Sequence, residues 1–248
     1  KKMIFNVMLQ LYQIIFYQPI FNALIWFYNV LPGHDIGVAI ILVTFLVRLI
    51  MLPLTIGSLR SQRALQSLQP KMQELKERYK NEKEKLSKEM MQLYAREKVN
   101  PMSSCLPLII QLPIFIALYQ ALIAGLKGQQ FEILYSFIAH PESISAVAFG
   151  GIDLAGKNIF LAVLAGLTQF WQAKSLTHTR QPKISGGKDE AMLSMMNKQM
   201  LYMMPVMTVV IGAGLPGGLA LYWLASNLLT VLQQKLFLKP MSQEENKK

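Results

Sequence analysis

The sequence predicts an all-α integral membrane protein: five transmembrane helices, an amphipathic helix on the outer face and a helical hairpin in the cytoplasm. Three observations predict it. The 25 basic and 14 acidic residues of the 248-residue chain are clustered, leaving long stretches with almost no charge. Those stretches approach or exceed the ~18 apolar residues that mark a membrane helix. The basic residues fall in blocks flanking them, as the positive-inside rule requires of cytoplasmic segments. The formal net charge of +11 is therefore read as topology and attraction to anionic lipid, with no sequence-specific nucleic-acid binding.

In chain order, residues 1–33 form an N-terminal segment, uncharged from 3 to 31. Asn6, Gln10, Gln13 and Tyr17 make one polar stripe, and Gln18, Asn22 and Asn29 make another on a different face. Aromatics are dense from Phe16 to Tyr28. An additional span or an uncleaved signal fits the missing charge. The stripes and aromatics favour an interfacial helix over about 16–31. Residues 34–58 hold the first span, whose run from Ile36 to Ile56 is interrupted by Arg48 alone. Residues 59–100 read as an antiparallel helical hairpin. Leu65, Leu68, Met72, Leu75 and Tyr79 step by three and four, as do Leu86, Met90 and Leu93, the spacing of paired helices. Lys80-Asn81-Glu82 is the expected turn, and Pro70 should break or kink the first arm. At 42 residues the segment exceeds a simple connector, which suits a docking arm.

Residues 101–248 hold the remaining four spans: 104–126, bent by Pro107 and Pro113, then 158–173, 199–215 and 217–234. The last two are joined as a hairpin by Gly214-Leu215-Pro216-Gly217-Gly218. Segments 60–98, 174–198 and 235–248 carry 11, 5 and 4 of the basic residues. Five spans place all three on one side, the cytoplasmic one, and loop 127–157 outside. Cys105 is the single cysteine, so no intrachain disulfide forms, and His34, His140 and His178 read as loop residues. No metal or cofactor site is indicated.

Several segments together resemble the YidC/Oxa/Alb family of membrane protein insertases: LQPKMQELKERY (68–79), EMMQLYAREKVNP (89–101), CLPLIIQLPIFIALY (105–119), MPVM (204–207) and PGGLALYWLASNLLTVLQQ (216–234). The order of elements matches as well, from about Gln18 to Lys239, and the resemblance is to the compact form that lacks a large extracytoplasmic domain. It implies residence in the bacterial plasma membrane, five helices around a hydrophilic groove open to the cytoplasm and to lipid, nascent membrane proteins as substrates, and no cofactor. It leaves open contacts with the Sec translocon, the ribosome (through the basic tail) and the signal-recognition-particle receptor.

The residues support such a groove independently. Counted along a straight helix from Ile56, Arg48 lies ~12 Å inside its span. A charge near the bilayer centre costs at least ~2.5–3.5 kcal/mol, and no span contains a carboxylate to offset it. Snorkelling is the bland alternative; a wet cavity fits the depth better. Thr44 and Thr55 share the arginine's face. Tyr222, Ser226, Thr230 and Gln233 form a stripe on the last span beside Trp223 and Asn227. Gln169 and Gln172 share a face of the third, and Gln111 lies between the prolines of the second. Each amide alone is equally an interhelical hydrogen bond, worth ~0.6 kcal/mol on average in membranes. Together they read as a substrate groove of Arg48, Thr44, Gln111, Gln169, Gln172, Tyr222, Trp223, Ser226 and Asn227. Met192, Met196, Met200, Met203 and Met207 recur at helical spacing on the fourth span, a face suited to varied apolar segments or to ordinary packing. The third to fifth runs are short, ~24–27 Å against a ~30 Å hydrocarbon core, and would thin the bilayer locally.

A small-solute transporter or channel could use the same Arg/Gln cluster, although no internal repeat accompanies it. Catalysis is not expected: the spans hold no Ser/His or paired-carboxylate arrangement, and the chain has no HExxH, GxGxxG or P-loop.

Overall fold

The computed structural model describes residues 2–80, 82–100, 106–176 and 199–237. Cys105, His178, Met192 and Met196 lie outside the described residues, as do nearly all of the basic segment 174–198 and most of the tail. The chain runs α1 (Lys2–Tyr12), a π turn (Gln13–Tyr17) and α2 (Gln18–Val30), then α3 (Ile36–Ile50), α4 (Leu52–Ser67), α5 (Gln69–Arg78) and α6 (Lys83–Arg96). After these come α7 (Leu106–Leu126), a loop carrying the two-residue strands β1 (Val147–Ala148) and β2 (Ile152–Asp153), and α8 (Ile159–Leu176). A second π turn (Gln199–Met203) leads into α9 (Met204–Gly214), and α10 (Gly217–Phe237) ends the described chain.

The run read as one span from Ile36 is two helices. α3 and α4 meet at 68°, and the cause is Pro53. It has no N–H for the Leu49 carbonyl and its ring crowds that carbonyl, so α3 closes at Met51, whose N–H bonds Val47 O at 3.0 Å. Arg48 consequently sits in the last turn of α3, and a depth measured along a straight helix no longer applies. The segment 109–126 of α7 is long and apolar enough to cross a bilayer alone, and the bent α3–α4 pair passes the same test as a unit. α7 continues through Pro113 without interruption.

Beside an apolar core, many large apolar side chains lie on the surface and several polar ones are buried. Phe45, Ile50, Leu112, Leu167, Val210 and Leu232 are exposed, while Asn22, Thr44, Ser58, Thr208, Ser226, Asn227 and Gln234 are buried. Such a surface needs an apolar surrounding. The apolar core is concentrated at one end. It takes Phe21, Leu24 and Ile25 from α2, Ile36, Ala39, Ile40 and Val43 from α3, Leu118 and Leu122 from α7, and Leu154 from the loop. The other half of α3, from Phe45 to Ile50, is half-buried or exposed.

The second polar stripe, expected at an interface with headgroups, instead holds the loop. Asn22 donates to Ile133 O at 3.2 Å and accepts from Tyr135 N at 2.6 Å. Asn29 donates to Ala139 O at 2.7 Å, and Gln18 to Ile133 O at 3.2 Å. The Tyr28 hydroxyl accepts from Ser145 N at 3.0 Å. These side chains satisfy a loop that has little ladder of its own. Asp35 adds a further tie: it caps α3 through Gly37 N (2.7 Å) and Val38 N (3.1 Å) and accepts from Phe149 N (2.6 Å). Gly37 is required at this contact, since a Cβ there would lie 2.7 Å from that of Ala148.

α8 packs between α9 and α10. The two helices joined by the tight turn meet each other little, so their hairpin is open and filled by α8. Gly166 permits the approach, because a Cβ there would come within 2.4 Å of Val209. Beyond α4, α6 folds back on α5, and Glu82 N–H bonds Tyr79 O at 2.9 Å between them. Tyr94 Oη donates to Met72 Sδ at 3.7 Å and Lys71 pairs with Glu97 at 2.5 Å. α5 begins at Gln69 with Pro70 in its first turn, so the expected break falls between α4 and α5, and α4 itself forms the root of the arm.

Candidate functional site

Where the apolar core ends, a cavity begins between α3, α4, α7 and α10. Thr44, Arg48, Gln111 and Tyr222 line it together with Thr55 and apolar neighbours, chiefly Val47, Met51, Leu54, Ile110 and Ile114. Its cavity volume is about 20 Å³, room for about one water molecule, and it is partly open to the outside. The α3–α4 lining residues from Thr44 to Thr55 fall three and four apart, so one helical face supplies them despite the break at Met51.

Arg48 organises the cavity. Its Nε donates to Ser226 Oγ at 3.1 Å, and Nη2 donates to the same oxygen. A guanidinium carries five N–H donors, so one hydroxyl leaves most of them unused. Among the described residues no hydrogen bond engages Nη1, and the arginine lines the cavity. Among the described residues no carboxylate pairs with Arg48; the ion pairs there are Lys71–Glu97 and Lys85–Glu82 in the hairpin. Two features offset the cost of holding this cation. It lies in the last turn of α3, where free carbonyls make a negative helix end, and the cavity admits water.

Gln111 Nε2 donates to Tyr222 Oη across α7 and α10. Thr44 is buried with its hydroxyl turned to Ile40 O at 2.6 Å, presenting its methyl side to the space. Trp223 packs on Phe115 of α7, ring centres 5.3 Å apart, and so braces the wall.

Three other residues read into the groove do not line the cavity. Gln169 accepts from Thr208 of α9, and Asn227 donates to Ala165 O of α8 at 3.0 Å. Both tie α8 to its neighbours, the interhelical reading each amide alone allowed. Gln172 is half-buried near the end of α8, with no contact to the cavity lining. Residues not included in the sequence-read groove are the apolar lining and the pair Gln233–Gln234, buried one helical repeat beyond Ser226. The step from Tyr222 through Ser226 and Thr230 was the available signal for Gln233; nothing in the pattern marks Gln234.

Residues 26–245 match the model of the 60Kd inner membrane protein family. The membrane protein insertase YidC of Fusobacterium nucleatum is 35% identical over 205 residues, 83% of this chain and 87% of that protein. The insertase YidC 1 of Halalkalibacterium halodurans is 36% identical over 222 residues, 88% of this chain and 75% of that one. The Geobacter metallireducens insertase is 33% identical over 93% of this chain, which spans only 38% of that relative's length. In fold, the chain resembles a crystal structure of an active YidC insertase with its first transmembrane domain resolved: TM-score 0.59, 24% identity, 89% of this chain and 46% of that one covered. The chain belongs to the 60Kd inner membrane protein family, the family of the YidC insertases.

Proposed function

We propose that this protein is a multi-pass insertase of the bacterial plasma membrane that carries newly made membrane proteins into the bilayer. The observation that supports this most is a cation with open donors, Arg48, facing a water-admitting cavity and lacking a carboxylate partner among the described residues. A hydrated site part-way through shortens the dry distance that a polar tail must cross, and Arg48 attracts the tail's acidic groups.

In this proposal the α3–α4 pair, α7, α8, α9 with its preceding π turn, and α10 are the five spans. The hairpin and basic segments face the cytoplasm and loop 127–157 faces outward, where the apolar core closes the path. The break between α3 and α4 is a hinge by which the narrow cavity widens into a groove for a polypeptide. The substrate's apolar segment slides along the exposed faces of α7 (Leu112, Ile116) and α9 (Met207, Val210). α9 with its π turn spans 16 residues, ~24 Å at 1.5 Å per residue, and thins the bilayer beside it. Contacts with the Sec translocon, the ribosome or the signal-recognition-particle receptor fall to the hairpin and the tail.

Purified protein in liposomes tests the proposal with a single-span substrate bearing an acidic outer tail. Insertion rises well above that of empty liposomes, while flux of small anions stays at background. Equal insertion by empty liposomes refutes the insertase reading, and anion flux without insertion points to a transporter.

A further inference from the structure

We infer that Gln233 and Gln234 form a second binding station of the insertase, one that hydrogen-bonds the main chain of the passing tail regardless of its side chains. The inference rests on the proposed insertase function. Both side chains are more than nine-tenths buried, with 8% and 3% exposure, and Gln233 Oε1 and both polar atoms of the Gln234 carboxamide have no partner. Buried carboxamides are nearly always hydrogen-bonded, and an unpartnered one calls for a ligand or water. These are the polar side-chain atoms of the described residues left sealed and unpaired.

Gln233 carries the link to the path, while Gln234, seven residues after Asn227, lies beside it on the side of α10 that meets α8. Gln233 is seven residues after Ser226, two turns along the same face of α10 and ~10.5 Å nearer the hairpin end. An extended chain covers that distance in about three residues, so one tail can meet both stations at once. Thr55 and Ser58 of α4 are buried on the same side of the hinge, and α4 packs on both α7 and α10. The chemistry of the two stations differs. Arg48 offers donors and positive charge, which select acidic groups. A carboxamide offers a donor and an acceptor with no net charge, matching the N–H and C=O of a peptide unit. Such pairing serves every tail.

The double variant Gln233→Met/Gln234→Met keeps side-chain length and removes the hydrogen-bonding atoms. In liposomes it lowers insertion of neutral and acidic tails alike, by five- to twentyfold. Its melting temperature stays level or rises, because no bond is lost and two unpaired buried amides are removed. Unchanged insertion overturns the inference and leaves the insertase function standing; water is then the partner of the amides. A fall in melting temperature alongside insertion also overturns it, since the amides would be structural. A wild-type protein no better than empty liposomes removes the insertase reading itself, and the station with it. In a Cys105→Ser background, Gln233→Cys forms a disulfide with a cysteine in the tail of a stalled substrate when an added copper–phenanthroline oxidant takes up the two electrons. No adduct, where Gln111→Cys gives one, places the tail elsewhere and overturns the station.

Discussion

Arg48→Ala removes the cavity's charge and spares the rest of its wall, because the arginine's protein partner is the single hydroxyl of Ser226. Two unit charges 4 Å apart interact by ~1 kcal/mol in bulk water and ~4 kcal/mol at an effective dielectric near 20. Arg48 is half-buried and lines the cavity, between those two limits, so a tail carboxylate at this distance gains about 2 kcal/mol. At 1.4 kcal/mol per decade that is roughly thirtyfold in insertion. The assay is liposome insertion of one single-span substrate whose tail carries zero, one or two acidic residues near the position that reaches Arg48. Arg48→Ala lowers insertion of the singly acidic tail about thirtyfold and that of the neutral tail less than about threefold, and the difference shrinks in high salt. Ser226→Ala, which frees the guanidinium without removing it, keeps the preference for acidic tails. An equal loss at every tail charge refutes the electrostatic reasoning and makes Arg48 a packing residue.

Asn227→Ala breaks the tie from α10 to Ala165 O of α8; thermal unfolding in detergent falls by a few degrees, reflecting ~1 kcal/mol for an interhelical bond, with no dependence of insertion on tail charge. Gly37→Ala drives a Cβ to 2.7 Å from that of Ala148, and overpacking of this kind costs ~1–3 kcal/mol; limited proteolysis then cuts loop 127–157 faster than in wild type. Asp35→Ala removes the α3 cap and the Phe149 tie, costing ~1 kcal/mol from the cap, and opens the same loop to protease.

Charge-free runs and blocks of basic residues made the main helices legible, because apolar length and loop charge are properties of one segment at a time. The arm was legible from its three-and-four spacing: Met72 sits on the predicted seam, while its partner on α6 is Tyr94, one residue past Leu93 of the seam read there. On the candidate site, Thr44, Arg48 and Thr55 share a face by helix geometry alone, and so do Tyr222 and Ser226. A stripe identifies a face, however, and not the neighbour it meets. Gln169 and Asn227 resemble Gln111 in sequence, yet they turn to α8–α9 and α8–α10 contacts that depend on how three helices nest. Gln18, Asn22 and Asn29 read only as the polar face of an interfacial helix because their partners, Ile133 to Ala139, lie more than 100 positions away. Pro53 did announce the break after α3, but the apolar run around it outweighed a single residue when a span was drawn from 36 to 56.

Accessibility of the cavity to water is the property on which the account turns. In a Cys105→Ser background, Gln111→Cys and Ile116→Cys are reacted with a membrane-impermeant thiol reagent added to one face of sealed vesicles at a time. The account predicts that Gln111→Cys is labelled rapidly from the face bearing the hairpin and not from the face bearing loop 127–157, while the exposed apolar site Ile116→Cys is labelled from neither. Gln111→Cys as unreactive as Ile116→Cys from both faces, or reactive from the loop face alone, would contradict it.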